Sequence, residues 1–163
     1  MTLRLIVMRH GEAEDAHPKG DRSRALTDRG QVQARYVTGE LMSHRWAPEL
    51  VIASDALRAR QTAECIVAKL GGTVPLELAP DFYLTGFERM SHRIAAVEGA
   101  RCVVVVGHNP GWSDALYQMT GKVLALATAD AAVLEASADA WTDAIFATGR
   151  WKLAGFVQAA YAP

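Results

Sequence analysis

Three short stretches carry residue types that could do chemistry together. Arg9, His10 and Gly11 close an apolar run. Arg58 follows soon after a second one, in "SDALRARQTAE". His108 and Asn109 end a third, "VVVVGHN". Arginines stay protonated at any ordinary pH, so two of them sharing a crevice with two histidines need an anionic partner. Guanidinium forks match phosphate oxygens in pairs, and helix N-termini add unpaired N–H groups and partial positive charge. A phosphoryl group is the simplest resident. A neutral imidazole is a good nucleophile toward phosphorus. A second imidazole, if protonated, would donate to an oxygen that gains charge during transfer, and such donors are often worth about 3 to 4 kcal/mol each. Gly11, lacking a side chain, would let a substrate come close. Taken singly, each feature has an ordinary explanation: a surface arginine, a packing histidine, a helix-initiating "GHNPG" turn. The chemistry requires all three on one rim, and either His10 or His108 could then be the nucleophile.

The elements that must position them alternate in type. "LRLIVM" (3–8) is a short apolar run rich in branched residues and reads as a buried strand. The polar, Gly/Pro-punctuated segment 11–27 reads as a loop, with "DRSR" (21–24) as a solvated part of it from which Arg24 could reach a partner. Thr27 is placed to cap a helix running to about Arg45, with Ala34, Val37 and Leu41 as its apolar stripe. "ELVIAS" (49–54) is a strand, after which Ser54 or Asp55 would cap a helix carrying Ala59, Ala63, Ile66 and Leu70 on one face and stopping at Gly71-Gly72. Residues 73–84 read as extended or irregular, and Phe87, Met90, Ile94 and Val97 mark another helix. "CVVVV" (102–106) is apolar throughout, as in a strand buried on both faces, and the following helix takes Pro110 in its first turn. Trp112 and Tyr117 on that helix read as core. "AAVLEA" (131–136) and "WKLAGFVQ" (151–158) are later strands, with "SADAWTD" (137–143) a turn.

Strands alternating with helices imply βαβ crossovers and a mostly parallel sheet covered on both faces, a three-layer α/β/α architecture. Ligands in such sheets sit beyond the carboxyl ends of the strands. The three chemical stretches stand at three such ends.

The chain of 163 residues suits a single domain over 1–163. Seventeen basic against eighteen acidic residues leave a net charge of −1, which argues against a general nucleic-acid or anionic-membrane binder. The opening "MTLRLIV" lacks the pattern of a secretory signal, and no stretch reaches the roughly 18 apolar residues of a membrane helix, so a cytoplasmic protein is expected. Cys65 and Cys102 read as reduced core residues, and no Cys/His cluster has metal-ligand spacing. His17, His44 and His92 read as surface or packing residues, and Thr62 as support for a helix start.

"RHGEAE" at 9–14, "SDALRARQTAE" at 54–64 and "VVVVGHNPG" at 103–111 resemble the three signatures of the histidine phosphatase superfamily. Their form, with "RALTDRG" (24–30) and "TADAAVLEA" (128–136), is similar to the small SixA-type phosphohistidine phosphatase branch. The resemblance covers most of the chain and is weakest after about residue 137. It implies a phosphoglycerate mutase-like fold and a phospho-enzyme mechanism without cofactor or metal. By motif position it makes His10 the phosphorylated nucleophile, puts Arg9, Arg58 and His108 around the phosphate, and leaves the backbone near Asn109 beside it.

Larger relatives carry a mid-chain acid that protonates the leaving oxygen. Here Asp81 in "LAPDFYLTG" and Glu12 are the candidates, and Glu12 reads equally well as a loop ion-pair partner. A missing acid disfavours alkoxide leaving groups but matters less for phosphohistidine, whose ring can leave as neutral imidazole. The expected substrate is therefore phosphohistidine on a protein. The alternatives are small phosphomonoesters, or a non-catalytic phosphate-binding module on the same scaffold.

Overall fold

The computed structural model describes residues 1–147 and 149–163. Among the described residues, six strands form one sheet in the order β3-β2-β4-β1-β5-β6. These are β1 (Thr2–Arg9), β2 (Leu50–Ser54), β3 (Leu76–Ala79), β4 (Cys102–Gly107), β5 (Ala131–Ser137) and β6 (Lys152–Val157). The first four in chain order run parallel. β5 runs antiparallel to β1, and β6 antiparallel to β5. The mostly parallel α/β/α arrangement expected from the sequence is present.

Period-two alternation along the strands builds two cores. Leu3, Leu5, Val7, Ile52, Val103 and Val105 face one side. There they meet α3 (Phe87–Ala95), α4 (Gly111–Thr120) and α5 (Trp141–Ile145) through Met90, Ile94, Trp112, Leu116 and Trp141. Ile6, Met8, Val51, Ala53, Val104 and Val106 face the other. They pack on α1 (Asp28–Ser43) and α2 (Leu57–Lys69) through Val37, Leu41, Ala59, Ala63 and Ile66. Thr27 caps α1 as expected, its hydroxyl accepting from Gly30 N. Among the described residues, no helix is long and apolar enough to cross a membrane.

Register decides what stands at the rim. Arg9 on β1 is paired with Gly107 on β4, and Ala53 on β2 with Val106. His10 and His108 therefore follow one step beyond adjacent paired residues, with Ser54 level with Gly107. His10 N donates to Gly107 O at 3.1 Å, extending the ladder by one rung. The antiparallel β5 brings its amino end to the same rim, where Ala131 pairs with Met8.

Several local expectations are corrected. Neither Ser54 nor Asp55 caps α2: the N-cap position is Ala56, because the Ser54 hydroxyl is spent on Ala56 N and His108. Residues 73–84 are extended as expected at β3, which joins the sheet as a fourth parallel strand, and then enter a 3-10 turn, Pro80–Phe82. Pro110 occupies the N-cap of α4 rather than its first turn. The segment 137–143 is not only a turn, since Trp141 opens α5 and buries its ring. Trp112 is core, but Tyr117 on the same helix is exposed, and Cys65 is only partly buried.

Candidate active site

His10 is buried, and its Nδ1 lies 2.8 Å from Gly11 O. That carbonyl can only accept, so Nδ1 carries the proton and the lone pair is at Nε2. Nε2 accepts from Arg58 Nε at 3.3 Å. His108, 1% exposed, is held in the complementary sense. Its Nδ1 lies 3.3 Å from Arg58 Nη2 and so accepts, and its Nε2 is 2.8 Å from Ser54 Oγ. One guanidinium thus spans both imidazoles, whose ring centroids are 5.2 Å apart.

Burial, with Arg58 and Arg9 nearby, lowers the His10 imidazole to about 4. Burial, the neighbouring His10 and Arg58 lower His108 to about 3. Both rings are neutral near neutrality. For His10 this is the nucleophilic form. For His108 it departs from the expected protonated donor, because Arg58 already donates to its Nδ1 and a second buried cation would face the first.

Arg9 leaves the end of β1 with Nη1 on Leu126 O at 3.1 Å. Its Nε is buried with no hydrogen-bond partner among the described residues. Arg58 sits in the first turn of α2, 3% exposed. Thr62, one turn on, accepts from Gly11 N at 3.0 Å and donates to Arg58 O at 2.7 Å, which ties α2 to the end of β1. Gly11 is needed for packing: a Cβ there would lie 2.7 Å from Gly30 O.

Asn109 reaches the rim, but its side chain is engaged elsewhere. Nδ2 donates to Leu126 O at 2.7 Å, and Oδ1 accepts from Ser113 Oγ at 2.8 Å and Ser113 N at 3.3 Å. Only its backbone is left to face a phosphate. Glu12 is exposed and accepts from the Thr27 hydroxyl at 3.1 Å. Asp81 is exposed in the 3-10 turn, and it is Tyr83, two residues later, that packs edge-on against His108 at 5.4 Å between centroids.

The "DRSR" stretch is not merely solvated. Asp21 accepts from Arg58 Nη2 at 3.0 Å, from Arg24 Nη1 at 2.9 Å, and from the Tyr83 hydroxyl. Those partners, Tyr83 first, hold its carboxyl far below the usual carboxylate range. The loop before β5 was also illegible as site structure. Ala129 N donates to His10 O at 2.9 Å and Arg9 N to Asp130 O at 3.1 Å, while the buried Asp130 carboxylate accepts from Ala127 N and Ala159 N, each at 2.9 Å.

The profile of the histidine phosphatase superfamily (branch 1) matches residues 5–83. An uncharacterized chloroplastic protein of Arabidopsis thaliana is 30% identical over 96% of this chain and 78% of its own length. A structure assigned as the phosphohistidine phosphatase SixA of Agrobacterium tumefaciens is 26% identical with a TM-score of 0.80, covering 95% of this chain and 97% of that one. Its counterpart from Nakamurella multipartitia is also 26% identical with a TM-score of 0.80, covering 94% and 95%. With the two arginines and two histidines of the motifs gathered at one rim, the chain belongs to the histidine phosphatase superfamily, in its SixA-like branch.

Proposed function

We propose that the protein is a cytoplasmic phosphatase, a single domain over 1–163, that works through a phosphorylated His10 on protein-borne phosphohistidine. The observation that carries this reading is the Arg58 guanidinium spanning His10 Nε2 and His108 Nδ1 at 3.3 Å each. A phosphoryl group drawn to Arg58 then meets an imidazole whose lone pair already points at that cation.

The His10 Nε2 lone pair gives up the hydrogen bond from Arg58 Nε and forms a bond to phosphorus as the bond to the leaving nitrogen breaks, and that nitrogen keeps the electron pair. Arg9 and Arg58 hold the non-bridging oxygens, with the neutral His108 ring and the Asn109 backbone N–H lining the pocket beside them. Water then attacks phospho-His10, phosphate departs, and His10 recovers its lone pair. Two guanidiniums supply the charge that a metal would otherwise bring.

The substrate preference rests on the carboxylates. Asp81 and Glu12 are exposed, and Asp21, the carboxylate that reaches Arg58, is held ionised. An ionised carboxylate cannot protonate a departing alkoxide. A phosphohistidine ring protonated on its distal nitrogen leaves as neutral imidazole and needs no such donor. The SixA-assigned structural relatives are phosphohistidine phosphatases by name.

The test compares turnover of a phosphohistidine-bearing protein with a panel of small phosphate esters, using wild type and His10→Ala. The expected result is a preference for the phosphohistidine protein and a loss in His10→Ala of about 10³-fold or more. Equal activity of the two proteins refutes the mechanism. Equal rates across the panel refute only the substrate.

A further inference from the structure

Arg58 has five N–H bonds to give. Nε goes to His10 Nε2, Nη2 to His108 Nδ1 and Asp21 Oδ2, and Nη1 to the backbone oxygen of Asp21 at 2.9 Å. One N–H is left over. A phosphoryl group can therefore take a two-pronged hold on this fork only by removing a partner, and the partner bearing negative charge is Asp21.

The carboxylate is latched rather than adrift. The Tyr83 hydroxyl donates to Oδ2 and Arg24 Nη1 to Oδ1. Arg22 lies over the Tyr83 ring at 4.2 Å and reaches Asp55 at 3.7 Å. The base of the loop is pinned independently of the latch. Ala13 bridges Leu26, Glu14 N donates to Ala25 O at 2.9 Å, and Ala25 N donates to the Glu14 carboxylate at 3.1 Å. Between base and latch, residues 15–19 are largely exposed, and Gly20, at φ 103°, occupies backbone space that favours glycine. The tip can thus leave Arg58 while its base stays in place.

We propose that Asp21 is an intramolecular occupant of the phosphate-facing edge of Arg58, which an incoming phosphoryl group must displace, so that Asp21 sets the pocket's affinity for phosphate. This rests on the assignment of Arg58 to phosphate made above. Displacement frees Arg24 to donate to the new anion. Return of Asp21 competes with product phosphate and hastens its release, and free phosphate inhibits weakly for the same reason.

The test is calorimetric binding of inorganic phosphate to wild type, Asp21→Asn, Tyr83→Phe and Arg58→Met. Asp21→Asn keeps the shape and removes the charge, so it should bind phosphate about tenfold more tightly. Tyr83→Phe loosens the latch without changing the charge and should shift affinity less, in the same direction. It carries the same prediction if Asp21→Asn does not fold. Unchanged or weaker binding in these variants, with binding that still requires Arg58, overturns this inference alone. Equal binding by Arg58→Met and wild type, or no binding to any of the four proteins, overturns the assignment of Arg58 and this inference with it.

Discussion

Arg58→Met tests how far one guanidinium governs both histidines. The position is 3% exposed, and methionine fills similar length without charge or donors. Two losses follow. Removing a single preorganised donor typically costs about 10² to 10³ in kcat, and Arg58 offers a fork of them, so the fall should be at least that large. The second loss is electrostatic. Burial is the main cause that holds His10 at about 4 and His108 at about 3, and the Arg58 charge adds to it for both rings. Two like charges about 5 Å apart at an effective dielectric of about 20 repel by about 3 kcal/mol, an upper bound here, so both rings should titrate roughly one to two pH units higher. They should still fall short of the ordinary 6.5, because burial remains. Ring-proton NMR titration of the histidines reads the shift directly, and kcat from neutral into acid reads its consequence. Activity of the variant should fall away at higher pH than that of wild type, because His10 must be neutral to attack. Histidine titrations that stay in place, or a kcat within tenfold of wild type, would refute the reasoning.

Two further outcomes follow from packing and burial. Gly107→Ala would set a Cβ 2.5 Å from Trp112 Cε2, and that ring is fully buried with its N–H on Val105 O, so denaturant unfolding should show a loss of about 1–3 kcal/mol or more. Unaltered stability would contradict the close approach of β4 to α4. Folding stability should also decline as pH falls from about 6.5 toward 4 and then 3, since the unfolded chain takes up protons on His10 and His108 that the folded site refuses. The contribution is fully present above 6.5, and melting temperatures of wild type and a His10→Ala/His108→Ala variant across that window should converge on acidification; parallel curves would count against buried, neutral rings.

The parts legible in the sequence were those fixed by local pattern. The apolar runs of β1 and β4, the Thr27 cap and the stripe of α1 follow from burial periodicity and capping chemistry. Because parallel strands place their carboxyl ends together, His10, Arg58 and His108 could be expected at one rim before any contact was known. What stayed hidden depends on long-range placement. β3 is an edge strand of four residues, two of them exposed and one buried, so it lacks the apolar signal of its neighbours. Nothing in "AAVLEA" distinguishes an antiparallel strand from a parallel one, yet that direction brings Ala129 and Asp130 to the site. Ser54 read as a cap because serine after a strand usually is one; register with Gly107 gave its hydroxyl to His108 instead. Asp21 lies in a polar stretch that looks solvated, and only the return of the loop over α2 reveals its pairing with Arg58. In "LAPDFYLTG" residue type makes Asp81 the acid candidate beside Glu12, while the side chain that meets His108 is Tyr83.

The proposed mechanism requires His10 to carry the phosphoryl group during turnover. Rapid quenching of the protein mixed with a radiolabelled phosphohistidine protein, followed by peptide mapping, tests it directly. The expected result is an acid-labile, base-stable label on His10 that is absent in His10→Ala. A label found on another residue, or wild-type turnover by His10→Ala, would contradict it.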